Sequence, residues 1–336
     1  MKKNYPLKED FVNRMKALLG KEEYERYLNA LDSEGLNSIR VNTLKISPEK
    51  LKKRLQEKNW ILKQPFKSNP EIFIIKGKVD GSHGEGSKHK IIDLEPGEIG
   101  RSLEHLLGYY YVQDISSMLP VLSLNPKEGE IVLDLCAAPG SKTSQIAAKM
   151  KNQGLLIAND ASLGRIKILA SNLERCGVRN SIITKGNAES LAKRLEKSNF
   201  QVDKILVDAP CSGEGTILTN RKTALMWNIK KIPSLSRLQK TILENTINLL
   251  KLEGELIYST CTHAPEENEE VVNHMLEKFP NIKLERISLP QEIKIRSGIK
   301  RWNDKEFSCE VKKCARIYPQ DNKTEGFFIA KIKKIR

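Results

Sequence analysis

From Ile131 onward the sequence alternates regularly between strand-like and helix-like stretches. Ile131-Val132-Leu133-Asp134-Leu135 is the apolar run of a buried strand, followed by a Gly-containing turn and a helical stretch from Ser144 to Met150. Gly154–Asn159 reads as the next strand and leads into a helix over Leu163–Cys176. Ser181–Thr184 is strand-like before a helix at Glu189–Lys197. Lys204–Asp208 and Glu255–Ser259 are strands separated by a helix at Leu238–Leu250, and Glu266–Phe279 is helical. Phe327–Ile332 adds a final strand. Strands joined through helices imply a parallel sheet covered on both faces. The expected fold is therefore a doubly wound α/β domain.

The residues before this alternation have a different character. A length of 336 residues suggests two domains, and the change of pattern places them at 1–110 and 111–336. The first is basic and mixed. A helix is expected over Leu7–Leu31, with Phe11, Met15, Leu18 and Leu19 on one face. A strand follows at Ile39–Leu44, a helix at Pro48–Gln56 capped by Ser47, and a strand at Ile72–Ile75. Gly81–Lys90, rich in Gly, Ser and His, reads as an exposed loop.

The chain carries 57 Lys and Arg against 42 Asp and Glu, a formal charge of +15. Such an excess favours a polyanionic partner, because neutralising phosphates releases condensed counterions. A membrane surface or a basic surface kept for solubility would also fit. The six cysteines (Cys136, Cys176, Cys211, Cys261, Cys309 and Cys314) form no Cys-x-x-Cys pair, so free thiols in a reducing cytosol are expected. Cys309 and Cys314 lack a second ligand pair, and no metal site is expected. Met1–Asp10 has lysines but no apolar core, which excludes a signal peptide. With no apolar run of membrane-spanning length, a cytoplasmic protein is expected.

Open α/β sheets bind ligands beyond the carboxyl ends of their strands. That rule selects four places. Asp134-Leu135-Cys136-Ala137-Ala138-Pro139-Gly140-Ser141-Lys142-Thr143 offers small residues and a helix N-terminus, without the spacing of a phosphate-binding loop or the three-glycine dinucleotide fingerprint. Asp160 lies about 20 residues further on, where an acid meets a ribose in nucleotide-binding sheets; by itself it would read as an N-cap. Asp208-Ala209-Pro210-Cys211-Ser212-Gly213 puts a carboxylate and a thiol on one constrained loop, and Ser259-Thr260-Cys261-Thr262 adds a second thiol. A single buried cysteine is usually packing. Two at neighbouring strand ends point to chemistry.

Taken together, Asp134–Thr143, Asp208–Gly213 and Ser259–Cys261 resemble the signature motifs of the Sun-type (Fmu/Sun) RNA cytosine-5 methyltransferases. Arg40-Val41-Asn42-Thr43, Val112-Gln113-Asp114 with Ser116-Ser117, Arg316-Ile317-Tyr318-Pro319 and Glu325-Gly326-Phe327-Phe328 resemble further segments of the family. The resemblance implies a seven-stranded S-adenosylmethionine-binding sheet beside a smaller basic α+β N-terminal domain that holds RNA. It implies that Cys136, Ala137, Ala138, Pro139, Gly140, Ser141 and Lys142 wrap the cofactor, that Asp160 holds its ribose with Arg165 nearby, and that Asp208 borders the same site. Asn187 stands where the family usually carries an Asp near the adenine, so its hydrogen-bonding capacity remains but the charge is lost. Gln320 stands where a His is frequent.

The resemblance also assigns roles. Cys261 is the nucleophile that adds to carbon 6 of cytosine, Asp208 stabilises the charge that develops, Cys211 assists release, and Lys142 orients Asp208 or the base. The base is expected to leave its stack to be reached. The N-terminal part shows no aromatic-rich RNA-recognition signature, so phosphate and shape contacts are expected. The substrate is expected to be tRNA ahead of ribosomal RNA, and the enzyme a monomer. The rivals are a DNA cytosine-5 methyltransferase, whose nucleophile would be the Pro-Cys thiol; a methyltransferase of small molecules or proteins; and a non-enzymatic RNA-binding assembly factor.

Overall fold

The structure, a computed structural model, describes residues 6–80 and 90–336. All but Lys90 of the loop expected at Gly81–Lys90 lies outside the described residues.

The N-terminal helix expected over Leu7–Leu31 is two helices, Glu9–Leu19 and Lys21–Asp32. Gly20 breaks it, with φ at +78°, a left-handed value that glycine accepts without strain. Both helices turn their apolar faces away from the N-terminal sheet and toward the C-terminal part of the chain. Phe11, Met15, Tyr24, Tyr27 and Leu31 pack with Ile217, Leu218, Trp227, Ile232 and Ala264. Phe11 meets Trp227 edge-on at 5.4 Å. Replacing Trp227 with alanine should therefore cost about 3–5 kcal/mol of stability by denaturant melting, loosening the loops that carry the site.

Five strands form the N-terminal sheet: β1 (Asn37–Val41), β2 (Trp60–Lys63), β3 (Ile72–Val79), β4 (Ile91–Ile92) and β5 (Tyr110–Val112). Their order is β2-β3-β1-β5, with β4 on β3, and every pairing is antiparallel. The helix Pro48–Gln56 begins as expected, with Ser47 accepting the Lys50 N–H. Alternation along the strands divides the sheet's two faces. Ile39, Val41, Phe73 and Ile75 pack on Leu51 and Leu55 of that helix. Ile72 and Ile74 face the other way, onto Met118 and Leu119.

The large sheet contains β6 (Ile131–Asp134), β7 (Leu155–Asp160), β8 (Ser181–Lys185), β9 (Val202–Asp208) and β10 (Leu250–Thr260), followed by β11 (Ile282–Glu285) and β12 (Arg296–Ser297). A small hairpin, β13 (Arg301–Trp302) with β14 (Lys305–Glu306), stands apart. β15 (Ala315–Ile317) and β16 (Phe327–Lys334) complete the set. The order is β12-β15-β16-β10-β9-β6-β7-β8. From β8 to β10 the strands are parallel, while β16 runs antiparallel to β10. The expected seven strands become nine because β11 and β15 share one edge of β16 and β12 extends beyond β15.

Successive residues of each strand serve opposite cores, as a doubly covered sheet requires. Ile205, Val207, Leu256 and Tyr258 pack on Ile242 and Leu243 of the helix Ile232–Thr246 and on Val271 and Val272 of the helix Glu269–Lys278. Leu206 and Ile257 pack on Met118, Leu119, Ile146 and Ala147 from the helices Ile115–Leu124 and Ser141–Lys149. The point where strand order reverses lies between β6 and β9, and the candidate residues gather at its carboxyl end.

Candidate active site

The first strand end makes the floor of a cavity. After β6 the chain passes through Cys136–Pro139 into the helix Ser141–Lys149, turning at Gly140 with φ at +104°. A Cβ at Gly140 would come within 3.0 Å of Leu169, so glycine lets the loop lie flat on the helix Leu163–Cys176. Asp160, at the end of β7, is buried and accepts the N–H of Ala138 at 3.3 Å and that of Ser162 at 3.0 Å. Arg165 Nη2 lies 3.4 Å from Asp160 Oδ2 and donates to the Ala138 carbonyl. A cavity of about 190 Å³ opens beside these groups, lined by Leu135, Cys136, Asp160, Arg165, Asn187 and Leu238 among others. Asn187 caps the helix Ala188–Lys197 by position only, since its side chain makes no capping bond. The Cys136 thiol is pushed up by burial, with Asp134 adding to the effect.

These groups suit a nucleoside with a cationic tail. Asp160 offers carboxylate oxygens at the cavity wall, and the apolar side chains of Leu135, Leu238 and Ile242 offer a surface for an adenine ring. Asp134 is buried; its Oδ2 accepts from Thr143 at 2.8 Å, while Oδ1 has no hydrogen-bond partner among the described residues. Burial, with the nearby Asp208 contributing, raises its carboxyl to about 7. An approaching ammonium group would satisfy that oxygen and draw the carboxyl back toward ionisation.

The third and fourth strand ends meet beside Pro210, which lines this cavity. Asp208 closes β9, and its Oδ1 accepts from Ser259 at 2.8 Å. Its Oδ2 lies 2.8 Å from Lys142 Nζ, which also donates to Ser117 at 2.9 Å. Lys142 rests 5.2 Å from the centre of the Phe327 ring. The Cys211 and Cys261 sulfurs are 3.3 Å apart, although 50 residues separate them in sequence. Close backbone approach allows this meeting. Gly215 donates to the Cys261 carbonyl and accepts from Gly326, both at 2.9 Å, and a Cβ on Gly215 would sit 2.1 Å from the Gly326 oxygen.

The thiol pair is not symmetrical in its surroundings. Hydrogen bonding to Cys261, burial and the Glu267 carboxylate push the Cys211 thiol well up. Either sulfur can donate in the 3.3 Å contact, but only Cys211 has a buried carboxylate among the groups acting on it.

Of the residues singled out from the sequence, Cys136, Asp160, Arg165 and Asn187 line the cavity, and Ala138 is hydrogen-bonded to Asp160 and Arg165 beside it. Ala137, Pro139, Gly140, Ser141 and Lys142 do not line it; Lys142 pairs with Asp208 and Cys211 with Cys261 at the neighbouring strand ends. Four polar side chains escaped the sequence reading: Ser117, Ser259, Gln239 and Glu267. Ser117 and Ser259 lie inside the quoted motifs and were open to inference. Gln239 and Glu267 gave no signal, because a Gln on a helix and an acid within Glu266-Glu267-Asn268-Glu269 both read as solvated surface. Arg40 also gains a place. It is buried, donates to Gln113, to the Ser141 carbonyl at 2.6 Å and to Ser144 at 2.8 Å, and so ties β1 to the first turn of the helix behind the cavity.

Among the described residues, no group of three or more His, Cys, Asp or Glu is placed to hold a metal, and no helix is long and apolar enough to cross a membrane.

A doubly wound sheet with a cavity and a thiol pair at its switch point is the arrangement expected of a methyltransferase with a nucleoside cofactor. Residues 121–333 match the family model for the 16S rRNA methyltransferase RsmB/F, and residues 7–115 match that for the N-terminal domain of 16S rRNA methyltransferase RsmF. The chain belongs to this S-adenosylmethionine-dependent RsmB/F family, which is the Sun-type family its motifs resemble. It is 40% identical to a tRNA (cytosine(49)-C(5))-methyltransferase of Pyrococcus abyssi, over 95% of this chain and 97% of the relative. It is 36% identical to a ribosomal RNA small subunit methyltransferase F of Psychromonas ingrahamii, spanning 98% of this chain but 64% of that protein. Two solved structures from Pyrococcus horikoshii match nearly the whole fold. A methyltransferase homolog gives a TM-score of 0.78 at 32% identity, covering 98% of this chain and 100% of the other; NSun6 gives 0.80 at 26%, covering 98% of both.

Proposed function

We propose that this protein methylates carbon 5 of cytosine in RNA, with tRNA as the substrate, through a covalent bond between Cys261 and the base. The observation that carries the reading is the pair of thiols 3.3 Å apart, next to the Asp208–Lys142 pair. A tRNA cytosine-5 methyltransferase aligned over almost its full length supports the choice of RNA.

Carbon 5 of cytosine is a weak nucleophile. The Cys261 sulfur adds to carbon 6, and the electrons of the 5,6 double bond move to carbon 5. S-adenosylmethionine, which Cys136–Lys142 and Asp160 would hold, would supply the methyl group to carbon 5 and leave as S-adenosylhomocysteine. A base then takes the proton from carbon 5, the C–H pair re-forms the double bond, and the carbon–sulfur pair returns to Cys261. Cys211, adjacent to Cys261, is placed to take that proton. A thiolate suits both ends of the sequence, being a strong nucleophile and a competent leaving group.

Asp208 receives the exocyclic amino group and stabilises the charge that develops in the ring, and Lys142 fixes its orientation. Asp208→Asn should lower kcat about 100- to 1,000-fold in single-turnover methylation, with a smaller change in RNA affinity. Asp160→Ala removes the ribose acceptor, and should weaken cofactor binding about 10- to 100-fold by calorimetry, corresponding to about 1.4–2.7 kcal/mol.

Residues 1–110 are assigned to holding RNA and residues 111–336 to catalysis, in a cytoplasmic monomer. Bisulfite sequencing of cellular RNA with and without the gene tests the function. Loss of methylation at a tRNA cytosine is the expected result. Unchanged cytosine methylation in every RNA would refute it, and loss confined to ribosomal RNA would replace the substrate.

A further inference from the structure

Cys211 and Cys261 are near neighbours, yet a buried acid stands behind Cys211. Glu267 is fully buried. Its Oε2 accepts the Ser212 N–H at 3.1 Å and the Gln239 amide at 2.8 Å, and Gln239 also donates to the Pro210 carbonyl at 2.8 Å. The peptide groups on both sides of Cys211 are thus held by two side chains from the helix Ile232–Thr246 and the turn before Glu269. Glu267 Oε1 is buried with no hydrogen-bond partner among the described residues. A carboxyl oxygen left without a partner is costly to the fold.

The groups facing Glu267 come from four elements. Glu214, in the turn after the thiol loop, adds to the burial that raises the Glu267 carboxyl to about 7. Arg14, on the first helix, is committed to Glu266 at 2.7 Å. Tyr258 of β10 donates its hydroxyl to the Glu267 backbone carbonyl at 2.5 Å. Cys211 completes the set, its thiol pushed up in part by this carboxylate.

We propose that Glu267 is the positioning residue that sorts the two thiols, fixing the Pro210–Ser212 backbone and setting negative charge behind Cys211. Cys211 then keeps its proton and donates it as a hydrogen bond, while Cys261 releases its own to water and attacks. Once Cys261 is bonded to carbon 6 its charge is gone. Cys211 then loses its proton to water more readily, and its thiolate takes the one from carbon 5. The inference rests on the cytosine-5 reading above.

The isosteric variant Glu267→Gln separates charge from structure, because an amide oxygen still accepts from Ser212. Full-length protein is alkylated with limiting iodoacetamide at pH 8, and each cysteine peptide is quantified. In the wild type Cys261 should be alkylated severalfold faster than Cys211, because negative charge behind Cys211 disfavours its thiolate. In Glu267→Gln the ratio should fall to about one. In the wild type it should also rise between pH 6 and pH 8, as Glu267 ionises, which gives a readout even if the variant fails to fold. A ratio unmoved by both the substitution and pH would overturn the proposal. Since alkylation needs no RNA, absence of an adduct on RNA containing 5-fluorocytidine would count against the cytosine-5 reading separately.

Discussion

Replacing Cys261 with alanine is expected to lower methyl transfer by at least about 10,000-fold and to remove every covalent adduct with RNA. The expected size follows from the chemistry. Without addition at carbon 6, carbon 5 has too little electron density to offer a methyl donor, and the neighbouring thiol, Cys211, is assigned to the release step and not to attack. The cavity assigned to the cofactor is lined by Cys136, Asp160 and Asn187 and by neither thiol, so cofactor affinity should stay within about twofold. Radiolabelled methyl transfer and calorimetric cofactor binding, run on the same variant, check the two halves. A variant that lost cofactor binding along with activity would show a collapsed site.

The Cys211→Ala variant should behave in the opposite manner. Addition and methyl transfer require Cys261, so they proceed; release requires a base, and the nearest one has been removed. An RNA–protein adduct stable to a denaturing gel should accumulate, while turnover falls about 100- to 1,000-fold, the range for loss of a general acid–base group. The physical basis is the 3.3 Å contact, which makes Cys211 the thiol adjacent to the reacting sulfur. If Cys211→Ala abolished the adduct and Cys261→Ala accumulated it, the roles would be exchanged, as in the DNA-enzyme arrangement.

Much of this architecture was legible because it rests on local rules. The helix Leu163–Cys176 has the expected bounds, since Ser162 caps one end and Gly177, in a left-handed conformation, the other. The four strand ends were legible from alternation alone, and with them the place of the site. What was hidden depends on tertiary contact. The helix Ile115–Leu124 is apolar on nearly every side and contains Pro120, so it shows neither a stripe nor an uninterrupted helical run. β11 and β15 are three or four residues long and take their form from pairing with β16. The helix expected from Glu266 begins at Glu269, because the residues before it fold into the turn that buries Glu267.

The roles of the thiols were the least legible part. Spacing brought Cys211 and Cys261 to neighbouring strand ends, and family resemblance ordered them. The structure adds a physical difference between their surroundings, in the Glu267 carboxylate that holds the backbone beside Cys211.

The most direct test is to trap the protein on RNA containing 5-fluorocytidine, whose carbon 5 fluorine cannot depart as a proton does. After protease digestion, mass spectrometry should find the modified nucleotide on the peptide containing Cys261. Attachment at Cys211, or no attachment to RNA that contains the target cytosine, would contradict the account.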